Sequence, residues 1–473
     1  MCDKYYFCGE LPFKQIFMKS NLITKLSIGF FIVIFTMTSC RRDEIFTPET
    51  TAESFDYKVP FEWNELFLDI DRFAPGYRPP AAARMLGYTG LAAYEAIVPG
   101  MPNNRSLVNM YAGLTIPSID QNAEYHWPTV VNAVYATMFR HFFPHVQQRF
   151  KDNIDRLERM FDDEFRNTVP SAILERSKAR GIQVANAVYD WSTTDTAGHN
   201  AYLNPHPEDY NPPVAPGLWA PTFPDFTLGL FPYWNQVRPF ALREGDRIAR
   251  RPITYSENPN SEYYLQAKEN EIIVNEMNFE RLWIAEFWSD DIFEQTFEPA
   301  ARWIAIANQV VEKEKVNLAV AIELYAKMGM ALCDTGIAIW TSKYHYNVER
   351  PVSFIRKFLN PEWTSALNNT IDGTKGLSPP FPAYPSGHSG FGAAGAAVLT
   401  NMFGFNYRMT DKCHEFRSEF IGTPRSFNSF TDMAYENAIS RIYLGVHFRM
   451  DCEEGLRMGY LAGDRVVRLP WKR

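Results

Sequence analysis

Ten segments of this chain repeat apolar residues at helical spacing, and runs that alternate apolar with polar are scarce. They are 80–97, 127–141, 145–166, 171–193, 262–288, 291–311, 315–342, 387–403, 431–443 and 447–467. An amphipathic helix must bury its apolar stripe, and with few strands available its partner is another helix. The pattern predicts an all-α chain built as a helical bundle. No period of roughly 20–50 residues repeats, which excludes a solenoid. The chain has 473 residues, enough for roughly two to four domains or one large one. Aromatic residues make 15% of it, so ring area for a large core is available.

The stretch 197–260 breaks the helical pattern with Pro205, Pro207, Pro212, Pro213, Pro216, Pro221, Pro224 and Pro232. Irregular chain of this length inside a domain is uncommon and often functional. Trp219, Phe223, Phe226, Phe231, Tyr233 and Trp234 favour a loop packed over the body, rather than a linker, because rings gain by burial.

The N-terminus reads as an export signal. The apolar run 26–37, LSIGFFIVIFTM, has the size of a signal-peptide core, and Lys19 and Lys25 precede it. Thr38, Ser39 and Cys40 resemble the lipobox of bacterial lipoproteins, with Met37 where that motif prefers Leu. The reading expects 1–17 upstream of the true start at Met18, a signal peptide over 18–39, and a lipidated Cys40. A tether over 40–60 then leads to an all-α domain over 61–473, whose catalytic part is 285–470. The expected location is the bacterial cell envelope, lipid-anchored and facing the periplasm or the cell surface. Only Cys333, Cys413 and Cys452 would remain as thiols, which is no disulfide framework. The segment 317–340 is the most apolar of the body but holds Glu323, Lys327 and Asp334, so membrane contact is expected through the lipid alone. The net charge of −8 offers no basic excess for nucleic acid.

Three motifs in the last third carry chemistry. The first runs from Lys343 to Arg350 and Pro351; proline disfavours helix at Arg350, which puts it at a helix exit. Alone, two such cations describe a solvated surface equally well. The second is Pro385-Ser386-Gly387-His388 ahead of a Gly/Ala-rich run. A helix starting there would present N–H groups to an anion, with Ser386 as a donor and His388 as a proton carrier. A Ser cap beside a buried His has the same sequence. The third is Ser440-Arg441 followed by Gly445, His447 and Asp451. One helical turn would join His447 to Asp451, fixing the tautomer, and Gly445 would break the helix between Arg441 and His447. An ordinary surface ion pair would look alike. Together the motifs supply three cations, one helix N-terminus and two histidines, a set suited to a tetrahedral oxyanion.

Lys-x6-Arg-Pro, Pro-Ser-Gly-His and Ser-Arg-x5-His-x3-Asp, in this order, resemble the phosphatidic acid phosphatase type 2/vanadium haloperoxidase superfamily. The resemblance implies that Lys343, Arg350, Ser386, Gly387 and Arg441 hold the oxyanion. It implies that His388 is the acid–base group and that Asp451 orients His447. In the haloperoxidase branch His447 would be the axial ligand of vanadate, and the substrates hydrogen peroxide and halide. In the phosphatase branch His447 would attack a phosphoester, form a phosphohistidine and need no cofactor. FPAYPSGH with Phe381, and Trp340 three before Lys343, are similar to the chloroperoxidase type, and FWSDD resembles a haloperoxidase segment whose Asp, here Asp291, would support Arg441. The resemblance thus implies a vanadium-dependent haloperoxidase, with a phosphomonoesterase and a non-catalytic oxyanion-binding lipoprotein as alternatives.

Overall fold

The computed structural model describes residues 51–473. The expected signal peptide, the first half of the tether and Cys40 lie outside the described residues. Fourteen α-helices follow in chain order: α1 (Lys58–Asp71), α2 (Pro79–Ile97), α3 (Trp127–Phe142), α4 (Gln148–Arg166), α5 (Ser171–Thr193), α6 (Thr196–His199), α7 (Glu262–Asn275), α8 (Phe279–Phe287), α9 (Pro299–Glu314), α10 (Leu318–Tyr346), α11 (Pro351–Phe358), α12 (Gly387–Phe403), α13 (Phe430–Tyr443) and α14 (Arg449–Val467). The one sheet among the described residues pairs β1 (Met409–Asp411) with β2 (Arg425–Phe427), antiparallel. The chain is therefore all-α, as its periodicity predicts.

Local chemistry sets the boundaries. Asn317, Ser386 and Ser429 cap α10, α12 and α13, each side chain accepting a backbone N–H of the first turn. Proline opens α2, α9 and α11, where a missing N–H is harmless. The expected helix over 262–288 is two helices, because Asn278 caps a new start at Phe279. The segment 291–298 turns instead of starting α9, since Glu298 precedes Pro299 and stays extended. Periodicity missed α1, α6 and α11. Residues 51–60 are body rather than tether: Ala52, Val59 and Pro60 are buried and α1 begins at Lys58.

The core is organised around α10, 29 residues long and buried along most of its length. Small residues let its neighbours approach. A side chain on Gly90 of α2 would meet the backbone of Ala326, and one on Gly329 would meet the carbonyl of Leu86. The same device joins α12 to α14. Gly455, Gly459 and Gly463 lie one turn apart, facing the carbonyl of Ser386, that of Gly390 and the side chain of Ala397.

The long irregular stretch lies over α10, as its aromatics predict. Buried Asp334 accepts the N–H groups of Phe240, Ala241 and Leu242 at 2.7, 2.7 and 2.9 Å. Trp219, Phe231 and Trp234 are buried. Phe223, Phe226 and Tyr233, expected to follow them, are instead exposed. No helix among the described residues is long and apolar enough to cross a membrane. The buried polar groups of α10 are matched: Lys327 donates to Glu323 at 2.6 Å.

Candidate active site

The three motifs converge. Lys343 stands in the last turn of α10, Ser386 caps α12, Arg441 is in the last turn of α13, and His447 lies between α13 and α14. Arg350 does not sit at a helix exit. α10 ends at Asn347 in a left-handed conformation, and Arg350 is the extended residue that starts α11. Gly445, at φ +75°, makes the break that the sequence predicts. His447 therefore precedes α14, and no helical turn joins it to Asp451. Asp451 sits in the first turn of α14, and its Oδ2 accepts from Phe448 N–H at 2.9 Å and from His447 Nδ1 at 3.0 Å. The link is a helix cap that also holds an imidazole. The N–H of Ser386 donates to the Asp451 carbonyl at 2.8 Å, so the two histidine-bearing segments are tied directly.

Burial is nearly complete. Lys343, Arg350, Ser386, Arg441 and Asp451 are 0% exposed, His447 1% and His388 5%. Arg350 donates through Nε to the Phe381 carbonyl at 2.8 Å. Its Nη1 reaches the Val446 carbonyl at 2.8 Å and His447 Nε2 at 3.2 Å. Lys343 donates to the carbonyls of Pro382 and Ala383 at 2.8 and 2.9 Å. The Phe381 ring lies beneath both cations, 4.9 Å from the Lys343 ammonium and 4.8 Å from the Arg350 guanidinium. Trp340 packs on Phe381 with ring centroids 5.0 Å apart. Asp291, from the turn before α9, pairs with Arg441 at 2.7 Å and lies 3.8 Å from His388 Nε2. Ser386 Oγ accepts from Ser389, which leaves its own hydroxyl proton to donate. Gly387 is the first residue of α12, where N–H groups have no intrahelical acceptor.

Charge is unbalanced here. Burial and then the neighbouring cations push Lys343 and His447 well below their ordinary ranges. Burial and the Arg441 guanidinium hold His388 down to about 3. Arg350 is lowered to about 9, burial and Arg441 outweighing Asp451. Asp451 is raised to about 7 by burial, against the pull of Lys343. Asp291 moves the other way: burial raises it, but Arg441, His388 and Arg78 together pull it below the usual carboxylate range. Arg350 Nη2, Arg441 Nε and Nη1, and His388 Nε2 are buried without a hydrogen-bond partner. A buried donor left unpaired is destabilising, and the three guanidinium nitrogens are gathered in one place with one sign of charge, beside the neutral His388 ring. An oxyanion satisfies all of them at once.

Residues 323–470 match the family described as the VCPO second helical-bundle domain. A crystal structure of the first bacterial vanadium-dependent iodoperoxidase shares 28% identity and a TM-score of 0.75, over 87% of this chain and 96% of that one. Sequence and fold are thus both similar to those of vanadium haloperoxidases. Vanadium chloroperoxidase of Curvularia inaequalis is 29% identical over 178 residues, covering 29% of this chain and 29% of the relative. The chain thus aligns with under a third of that curated relative. A holo-type bacterial vanadium-dependent chloroperoxidase, at 16% identity and a TM-score of 0.62 over 83% of this chain and 92% of its own, shares the fold.

The site also has residues that the sequence did not reveal. Arg78, at the start of α2, pairs with Glu298 and donates to the Asp291 carbonyl at 2.6 Å. Asp71 in turn accepts the N–H of Glu298 at 2.7 Å. The turn that holds Arg441 and faces His388 is thus braced from a helix more than two hundred positions upstream. The only local signal at Arg78 is the Pro79-Pro80 that follows it, which marks a helix start and no partner.

Proposed function

We propose that this chain oxidises halide ions with hydrogen peroxide at a histidine-held vanadate. The observation that carries the reading is the set of unpartnered buried donors beside His447 and His388. The 28% identical iodoperoxidase, aligned over most of both chains, supports the haloperoxidase branch. Lys343, Arg350, Arg441, Ser386 and the Gly387 N–H would hold the vanadate oxygens, and His447 Nε2 would bind the central atom. Vanadate, when bound, supplies a Lewis-acidic centre that activates hydrogen peroxide toward halide.

The side chains then have distinct tasks. Asp451 keeps the proton on His447 Nδ1, so the lone pair is on Nε2, where Arg350 Nη1 contacts it at 3.2 Å and an oxyanion would take its place. The three cations neutralise the oxyanion in a site that excludes water, where their charge acts at short range. His388 is neutral in the cationic pocket, so its ring can take a proton from hydrogen peroxide. Asp291 stabilises the imidazolium that results and holds Arg441 in place. Overall, halide, hydrogen peroxide and a proton give hypohalous acid and water. Halide loses two electrons and the O–O bond breaks.

The test uses the full chain purified without phosphate and loaded with orthovanadate. Bromide or iodide oxidation by hydrogen peroxide should depend on the added vanadate, disappear in His447→Ala, and proceed more easily than chloride oxidation. No oxidation of any halide, with vanadate instead blocking phosphoester hydrolysis, would move the assignment to a phosphomonoesterase, because the same donors fit phosphate.

A further inference from the structure

A cavity of about 650 Å³ runs from the surface to the back of the oxyanion cage. Its floor includes Asp291 and Phe381, which touch Arg441 and Arg350 respectively. Halide and hydrogen peroxide are only one or two heavy atoms each. The cavity has the volume of a site for an organic molecule, roughly 300–1,000 Å³. Its inner part is buried and its outer part exposed, with Phe293 37% and Ile371 54% exposed.

The charge of the cavity is one-sided. Asp225, Glu294 and Asp372 line its outer part and are exposed. Asp372 is held ionised by the Thr374 N–H at 2.8 Å. The one guanidinium in the lining, Arg78, is committed to Glu298 and to the Asp291 carbonyl. Burial pushes His206 below its ordinary range. A negative mouth repels halide, so the inorganic substrate does not account for it. A cationic ligand does.

We propose that this cavity binds the organic acceptor of the oxidised halogen, and that it selects a ring carrying a cationic arm. Phe381, Ile292, Leu367 and Leu377 take the ring, while Asp225, Glu294 and Asp372 face the ammonium end. This rests on the haloperoxidase reading. The step balances with hypohalous acid as the oxidant: its halogen forms a bond to a ring carbon, the O–X bond breaks, the ring loses a proton, and hydroxide and proton leave as water.

Three phenols with one ring and different arms test it: tyramine, p-cresol and 4-hydroxyphenylacetate. The first measurement is calorimetric binding to the full chain at low salt, with neither vanadate nor peroxide present. Tyramine should bind about tenfold tighter than 4-hydroxyphenylacetate, the scale of a few exposed charge contacts. The preference should collapse in Asp225→Asn/Asp372→Asn, whose amides can still accept the Thr227 and Thr374 hydrogen bonds. Equal binding of the three phenols, or none at millimolar concentration, would overturn the proposal.

The second measurement brominates an equimolar mixture of tyramine and 4-hydroxyphenylacetate with the vanadate-loaded enzyme. The reference is the same mixture treated with authentic hypobromite. The enzyme should enrich bromotyramine severalfold over the reagent, and identical ratios would overturn acceptor selection. If no bromide is oxidised at all, the haloperoxidase reading fails, and the calorimetry alone decides whether the cavity takes a cationic aromatic.

Discussion

Asp290 and Asp291 are neighbours in sequence, and each faces a different buried arginine. Asp291 faces Arg441, whose Nε and Nη1 lack partners. Asp290 faces Arg302, whose two terminal nitrogens are paired and whose Nε alone is not. Arg302 donates to Asp411 at 2.8 Å and to the Phe287 carbonyl at 3.0 Å, lies 3.6 Å from Asp290, and packs against the rings of Phe287 and Trp288, each 4.5 Å away. Burial opposes the charge, but Asp411, Cys413 and Asp290 together outweigh it, so the Arg302 guanidinium is held in its charged form. Both arginines are 0% exposed. One region was closed by folding, and the other keeps its donors for something that arrives later. A buried charge is thus a clue to function only through the partners it lacks.

The sharpest way to break this contrast is to remove each arginine. Arg302→Met strands Asp411 in the interior and should lower unfolding free energy by about 3–5 kcal/mol. Arg441→Met relieves cation crowding while freeing Asp291, so its stability loss should stay within about 1–2 kcal/mol. Its vanadate or phosphate affinity should fall about a hundredfold, the scale of two lost charge-assisted hydrogen bonds. Denaturant titrations and calorimetry separate the two outcomes. Similar profiles for both variants would end the distinction.

Anion binding gives the next largest effect. Vanadate or phosphate at a hundred times Kd should stabilise the wild type by about 2.7 kcal/mol. Arg441→Met should show almost none of this at the same concentration. Gly459→Ala tests the packing beneath the site: a methyl there meets the Gly390 carbonyl, with an expected loss of about 1–3 kcal/mol. It should weaken the anion too, because it pushes the His388 helix away from the His447 segment.

The smallest effect is a pH slope. His388 has a folded value of about 3, below its ordinary 6.5, so the unfolded chain takes up the proton first. Its contribution is present above pH 6.5 and is lost as pH falls toward the folded value, at about 1 kcal/mol per pH unit. Asp290 and Asp71, each raised to about 7 by burial, have the opposite sign and lose stability as pH rises from about 4 to 7. The difference between wild type and His388→Gln, measured at pH 7.5, 6 and 5, isolates the histidine. Bound phosphate should flatten it, since an anion stabilises the imidazolium.

Much of this was legible locally. Period and caps marked most long helices, and short motifs named the residues that meet in the cage. Asp291 was matched to Arg441 from a five-residue segment. The break at Gly445 followed from one residue type. What stayed hidden was pairing across long separations. Arg302 and Arg441 look alike in sequence, and Arg78 gives no hint of Glu298. Arg350 was misplaced because Pro351 excludes helix at the residue before it but does not announce a new one after it. Phe223 and Phe226 were expected inside, and a ring's wish for burial does not say whether the fold has a place for it.

Gly455, Gly459 and Gly463 bring the segments bearing the two histidines into backbone contact. Such a seam has little room to breathe, so the conformational entropy of assembling the site is lost during folding, before any ligand is met. Capture of an oxyanion is then mainly an exchange of its water shell for fixed dipoles and charges. The protein behaves toward its anion less like a hand that closes than like a mould already set.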